Sequence, residues 1–125
     1  MRRFRRLRAT PAMRKMVRET RLCAADMIYP IFVEEGEGMT APVESMPTVY
    51  RYSIDRLEEI LPQIAESGIA GLLIFGVPKH KDEFATEAYC DEGVTQQAIR
   101  YIKKNYPELI VIADVCLCEY TNHGH

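Results

Sequence analysis

The sequence has 125 residues, enough for one domain around a single core, with 47% hydrophobic and 27% charged residues and a net charge of −2. No apolar run approaches the roughly 18 residues needed to span a bilayer. The start lacks the apolar stretch of a secretory leader, and four unevenly spaced cysteines make no disulfide framework. A membrane-spanning or disulfide-stapled secreted protein is thereby excluded and a cytoplasmic one expected, with an arginine-rich transit peptide as the alternative reading of the start.

The charge is lopsided. Residues 1–21 hold eight arginines and one lysine against Glu19 alone, a net +8, while the remainder carries a net −10. Clustered arginines suit nucleic acid, whose phosphates they neutralise, or an acidic protein surface, the chain's own or a neighbour's. Phe4 is the only aromatic residue of that segment, so bases would find no stacking platform, and the protein surface is the better reading. Residues 1–25 are therefore read as a basic arm. Within it, Thr10 as N-cap and Pro11 in the first helical position predict a short helix, packed through Met13, Met16 and Val17.

Residues 26–125 read as alternating strands and helices. Met27 to Val33 is a first apolar strand, interrupted by Pro30. Gly36 to Pro47 has loop composition with no period; Glu34, Glu35 and Glu37 beside it lack the regular spacing of a hard-cation cage and are read as solvated. Val49 to Ser53 adds a small strand. A helix follows, with Ser53 as N-cap, Asp55 in its first turn, a stripe of Ile54, Leu57, Leu61, Ile64 and Ala65, and Gly68 at its end. Pro62 inside that pattern should kink or split it.

Ile69 to Phe75 is a second parallel-type strand, closed by Gly76. The polar loop from Gly76 to Asp91 then lies at the carboxyl end of that strand, where a wall or lid belongs in a barrel enzyme. Its Lys79, His80 and Lys81 read as a solvated tip, because nothing apolar nearby would lower a lysine pKa. Asp91 is expected to cap a second helix, with Glu92 in its first turn, Val94, Ala98, Tyr101 and Ile102 inward, and Pro107 blocking continuation. Leu109 to Ala113 is a third strand, buried on both faces. The pattern is α/β, β-α-β-α-β with a parallel sheet.

Chemistry gathers at the end of that third strand. Asp114, Cys116 and Cys118 alternate with Val115 and Leu117, so an extended backbone points all three to one side. Two thiolates on a tetrahedral zinc ion at ~2.3 Å each lie roughly 3.8 Å apart, within reach of side chains two residues apart. Cα atoms so placed stand ~6.6 to 7 Å apart, at or beyond the limit for a disulfide. The pair therefore reads as a metal site rather than an oxidised one. Cys-x-Cys also lacks the Cys-x-x-Cys spacing of a redox motif. His123 and His125 are further candidate ligands, and Cys23 and Cys90 are read as ordinary core or surface residues.

These residues resemble the porphobilinogen synthases, also called δ-aminolevulinic acid dehydratases. DVCLCEYTNHGH at Asp114 to His125 is similar to that family's zinc segment, with Asn122 where serine is common. RRLRATPAMRKMVRET at Arg5 to Thr20, DMIYPIFVEEG at Asp26 to Gly36 and SMPTVYRYSIDRL at Ser45 to Leu57 also match, and GVPKHKDEFATEAY at Gly76 to Tyr89 matches more loosely. The departures are Thr48 where glycine is common, Ala85 and Thr86 where glycine and serine are common, and Cys90 where aspartate is common.

The resemblance implies the N-terminal part of a TIM (β/α)8 barrel, its first three strands and two helices in residues 26–125 after the arm. It implies condensation of two 5-aminolevulinate molecules to porphobilinogen, with loss of two waters, in heme biosynthesis. Cys116 and Cys118 would be two of three cysteine ligands of a zinc ion, Asp114 a ligand-orienting or proton-passing residue, and magnesium a further ion of the full-length enzyme. The third cysteine and two Schiff-base lysines would lie beyond residue 125, so an N-terminal fragment, inactive alone and prone to self-association, is expected. The arm would wrap a neighbouring subunit of a homo-oligomer, an octamer in this family, with neither nucleic acid nor membrane as partner. The alternative is a small module whose Cys116, Cys118, His123 and His125 close a structural zinc site while the arm binds RNA.

Overall fold

The computed structural model describes residues 4–124. Five strands form one sheet: β1 (Ile28–Glu34), β2 (Thr40–Pro42), β3 (Tyr50–Tyr52), β4 (Gly71–Val77) and β5 (Ile110–Ala113). Their order is β2-β3-β1-β4-β5. The parallel unit β1-β4-β5 carries the expected β-α-β-α-β pattern, in register from Ile28 opposite Gly71 and from Gly71 opposite Ile110. β3 runs parallel to β1 beside Phe32 and Val33, and β2 returns antiparallel along β3. Pro30 is tolerated because only β4 flanks β1 at its level, so the donor it lacks is not missed.

The helices cover one face of this sheet. Ile31 and Val33 of β1 and Leu72 and Ile74 of β4 bury there against Leu57, Leu61, Ile64, Val94, Ala98 and Ile102. Alternate residues on the other face, Phe32, Leu73 and Phe75 among them, remain half-buried, and the Phe32 and Phe75 rings stack with centroids 5.3 Å apart. The third strand was expected to be buried on both faces, but Ile110 is exposed and Val111 and Ile112 are half-buried. No described element lies over that side.

Pro62 resolves the conflict in the first long pattern by splitting it. Ile54–Glu59 is a 3-10 helix, and α2 (Leu61–Glu66) starts afresh with proline in its first turn, where no donor is needed. Ser53 does not cap it as expected. Its buried hydroxyl instead donates to Asp55 (2.6 Å) and accepts from the Met39 amide (2.9 Å), while both Asp55 oxygens accept from the Gly38 amide. These bonds hold the Asp55 carboxyl below the usual range, the Ser53 bond contributing most. The segment expected to be pure loop thus contains β2 and is tied to the 3-10 helix.

α3 (Val94–Asn105) begins three residues after Asp91, with Gly93 at its N-cap, so Glu92 lies outside its first turn. Its far end is fixed to the 3-10 helix by Glu58, whose two carboxylate oxygens each accept a phenol proton, from Tyr101 and from Tyr106, at 2.8 Å. Burial, aided by that carboxylate, pushes the Tyr106 phenol up to about 12. β4 runs through Gly76 to Val77, so that glycine lies inside the strand it was expected to close.

In the arm, α1 (Pro11–Met16) starts as expected, the Thr10 hydroxyl accepting from the Met13 amide at 3.1 Å. The packing role expected for its apolar residues is not found, since α1 buries no residue and Met16 is 72% exposed. The ion pairs among the described residues involve Arg51, Arg56, Arg100 and His80, none of the arm's arginines.

Two non-glycine residues among those described have positive φ, Thr48 (70°) and Ala85 (53°). Both stand where glycine is common in the resembled family. Thr48 is exposed and β-branched, so its left-handed conformation carries strain without compensating burial. Thr48→Gly is expected to raise stability by about 1 kcal/mol in urea titration, a net that allows for glycine's entropy in the unfolded chain. An unchanged or lower midpoint would contradict this.

Candidate active site at the mouth of β5

β5 hydrogen-bonds to β4 as far as Ala113, and the Asp114 amide still reaches the Ile74 carbonyl at 3.3 Å. Beyond it the chain leaves the sheet and then turns, the Tyr120 and Thr121 amides both donating to the Leu117 carbonyl. Asp114, Cys116 and Cys118 are half-buried, whereas Val115 is 89% and Leu117 56% exposed. The burial alternates as the sequence pattern predicts, but the extended backbone expected through Cys118 is not found, since Cys118 lies in the turn.

Cys116 chiefly, with burial adding to it, pushes the Cys118 thiol up. Both are free thiols and line a cleft of about 380 Å3 with Glu83, Phe84, Thr121 and His123. Burial raises the Glu119 carboxyl, the Asp114 charge adding to the effect and Lys81 opposing it.

The cleft wall comes from the loop after β4. Its Asp82 forms an isolated parallel bridge with Thr121, the Asp82 amide donating to the Tyr120 carbonyl and the Asn122 amide to the Asp82 carbonyl. The Asp82 carboxylate accepts from the Phe84 and Thr86 amides, at 2.9 and 3.1 Å. Thr86 chiefly, and Phe84, hold it below the usual carboxylate range. Because its folded-state pKa is depressed, its contribution to loop order is present above the unfolded pKa and lost as pH falls through the folded one. The Phe84 and Thr86 amide resonances should therefore stay put on acidification to about pH 4 and shift only below it. Movement at a higher pH would contradict the bridge.

The alternative closed zinc site is not formed by the described residues. No three His, Cys, Asp or Glu side chains among them gather as a metal cluster, and the His123 imidazole lies 3.1 Å from the Gly124 carbonyl instead. His125 lies outside the described residues. Lys79 is held through its backbone amide by the Glu35 carboxylate, and His80 is an exposed neighbour of Asp82, as expected of a loop tip.

A family model described as delta-aminolevulinic acid dehydratase matches residues 1–125. The chain belongs to the δ-aminolevulinic acid dehydratase family. It is 54% identical over 123 residues to the delta-aminolevulinic acid dehydratase of Halalkalibacterium halodurans, aligning 98% of this chain with 38% of that protein. It is 52% identical to that of Bacillus subtilis, with the same shares covered, and 45% identical to that of Ruminiclostridium josui over all of this chain and 61% of that one. The chain thus spans 38% of the length of the first two relatives and 61% of the third. Its structure matches the crystal structure of delta-aminolevulinic acid dehydratase (porphobilinogen synthase) from Toxoplasma gondii ME49 in complex with the reaction product porphobilinogen. The TM-score is 0.91 at 31% identity, covering 100% of this chain and 36% of that chain. The sheet and helices are accordingly those of the first part of the dehydratase TIM barrel.

Tyr120, Thr95 and Asp82 escaped the sequence reading. Tyr120 lies inside the block that carries the family resemblance, but nothing in its spacing distinguishes it from a surface residue. Burial raises the pKa of its phenol, a bond to Thr95 opposing. Among the described residues no helix is long and apolar enough to cross a membrane.

Proposed function

We propose that this chain supplies the metal-bearing wall of a porphobilinogen synthase active site, in which two 5-aminolevulinate molecules condense to porphobilinogen with loss of two waters. The observation that carries the reading is the pair of free thiols, Cys116 and Cys118, that line one cleft just beyond the carboxyl end of a parallel strand, in a chain of this family. The donor set fits zinc, for which thiolates are preferred ligands. Cys116 and Cys118 would hold the ion, with a third thiolate from outside these residues. Zinc so held supplies Lewis-acid polarisation of a substrate carbonyl or amine.

The chain's own residues have distinct tasks. Asp114, one strand step before the thiols, orients a ligand or passes a proton. The loop bridged at Asp82 closes the side of the cleft and limits water. The lysines that would carry the substrates as Schiff bases, and any magnesium site, belong to residues outside this chain. The arm's excess of positive charge, which among the described residues makes no ion pair, supports its docking on an acidic surface of a neighbouring copy in a homo-octamer, and a cytoplasmic location is part of the same proposal.

Equilibrium dialysis of the reduced chain against Zn2+ tests the reading. One ion per chain is expected to bind weakly, with binding lost in both Cys116→Ser and Cys118→Ser. Undiminished binding in either variant would refute the assignment. The purified 125-residue chain should form no porphobilinogen from 5-aminolevulinate; measurable turnover would show that the lysines are not required. Sedimentation before and after removal of residues 1–25 tests the arm, which is not an oligomer contact if the number of copies per assembly is unchanged.

A further inference from the structure

The thiol-bearing segment is held at two points. Upstream, the Asp114 amide is bonded to Ile74; downstream, Tyr120 and Asn122 are bonded to Asp82. Between them, among the described residues, no backbone amide or carbonyl from 115 to 119 is bonded to another element, the only bonds being those of the turn itself to Leu117. What fixes the downstream end against the core is the Tyr120 side chain. It is 5% exposed, and its hydroxyl meets the Thr95 hydroxyl in the first turn of α3 at 2.7 Å. The bond occupies space over Gly76 of β4, where an added Cβ would stand 2.0 Å from Thr95 Oγ1 and 2.8 Å from the Tyr120 hydroxyl.

From this we infer that Tyr120 and Thr95 are positioning residues for the Cys116–Cys118 pair: their buried bond locks the turn after Cys118 to α3 and sets the distance between the two sulfurs. The inference rests on the reading of the pair as a metal site. An anchor that reaches the ligands through the chain, without touching them, acts on metal affinity much as outer partners of metal ligands do, roughly tenfold or more on removal. It need not act on global stability. Replacing both hydroxyls by apolar groups of the same shape leaves no buried donor or acceptor unpaired and is close to neutral.

The experiment is a Co2+ titration of the reduced chain, following the thiolate-to-metal charge-transfer absorption, in the parent, Thr95→Ser, and the double variant Thr95→Val/Tyr120→Phe. Thermal unfolding of each metal-free chain is measured alongside. The parent and Thr95→Ser should show the band with similar affinity, and the double variant should melt within a few degrees of the parent yet bind about tenfold more weakly. Cys116→Ser should lose the band altogether. A double variant that binds as tightly as the parent overturns the positioning role while leaving the metal site standing. No band in the parent overturns the metal site and the positioning role with it. A double variant that unfolds would show the bond to be a fold element, and then Thr95→Val alone, if folded and unweakened in affinity, overturns the inference, and if weakened supports it.

Discussion

Gly76→Ala is expected to remove about 3 kcal/mol or more of stability, a large share of the roughly 5–15 kcal/mol that domains of this size hold. The added methyl would meet Thr95 Oγ1 at 2.0 Å, the Tyr120 hydroxyl at 2.8 Å and Val94 Cγ1 at 3.3 Å. None of these is the far end of a flexible side chain in open solvent. Thr95 and Tyr120 are buried and bonded to each other, Val94 opens α3, and Gly76 itself sits in an interior strand opposite Val33. Relief requires α3 to move off the sheet or the Tyr120 bond to break, and breaking it strands two buried hydroxyls at about 1–3 kcal/mol each. Urea unfolding followed by circular dichroism checks this; a midpoint within experimental error of the parent would mean that the strand can shift at little cost.

Leu57→Ala should cost a comparable 2–5 kcal/mol. Leu57 is fully buried, yet it projects from a 3-10 helix whose own hydrogen bonds contribute little. Leu57 anchors that helix in the core it shares with residues of α2, α3 and the sheet, so truncation both removes apolar burial and frees the element that carries Asp55 and Glu58. The control is Leu22→Ala, at a position 77% exposed, expected to change stability by less than about 0.5 kcal/mol. Equal effects of the two substitutions would contradict the packing described.

Much of the architecture is legible in the sequence because it is written in periodicity. The three parallel strands are apolar runs, α3 shows a 3.6-residue stripe, and Thr10-Pro11 is a helix start with a stated mechanism. What escaped is local or long-range. β2 is three residues ending in proline, too short for any alternation to register. Ser53 has the chemistry of an N-cap, but its hydroxyl is taken up instead by the distant Met39 amide and the neighbouring Asp55 carboxylate. Gly76 reads equally as a strand stop or as a close approach, and only the position of α3, 25 residues of chain separating Thr95 from Tyr120, decides between them.

The same division holds for the site. Asp114, Cys116 and Cys118 alternate in burial with Val115 and Leu117, as the sequence pattern indicates, although Cys118 lies in a turn rather than on an extended chain. The wall opposite them depends on a single bridge between Asp82 and Thr121 that no composition signals. Thr48 and Ala85 are instructive in another way. Their departure from glycine looks like neutral variation until the backbone is seen, when both prove to hold the conformation that glycine adopts most cheaply.

Glu58 grips two tyrosines five residues apart on and just beyond α3, one with each oxygen. A carboxylate engaged at both ends cannot release one phenol and follow the other without losing half its partners, so the last turns of α3 and the Ile54–Glu59 segment can fray only together. Amide exchange there would proceed through one shared opening.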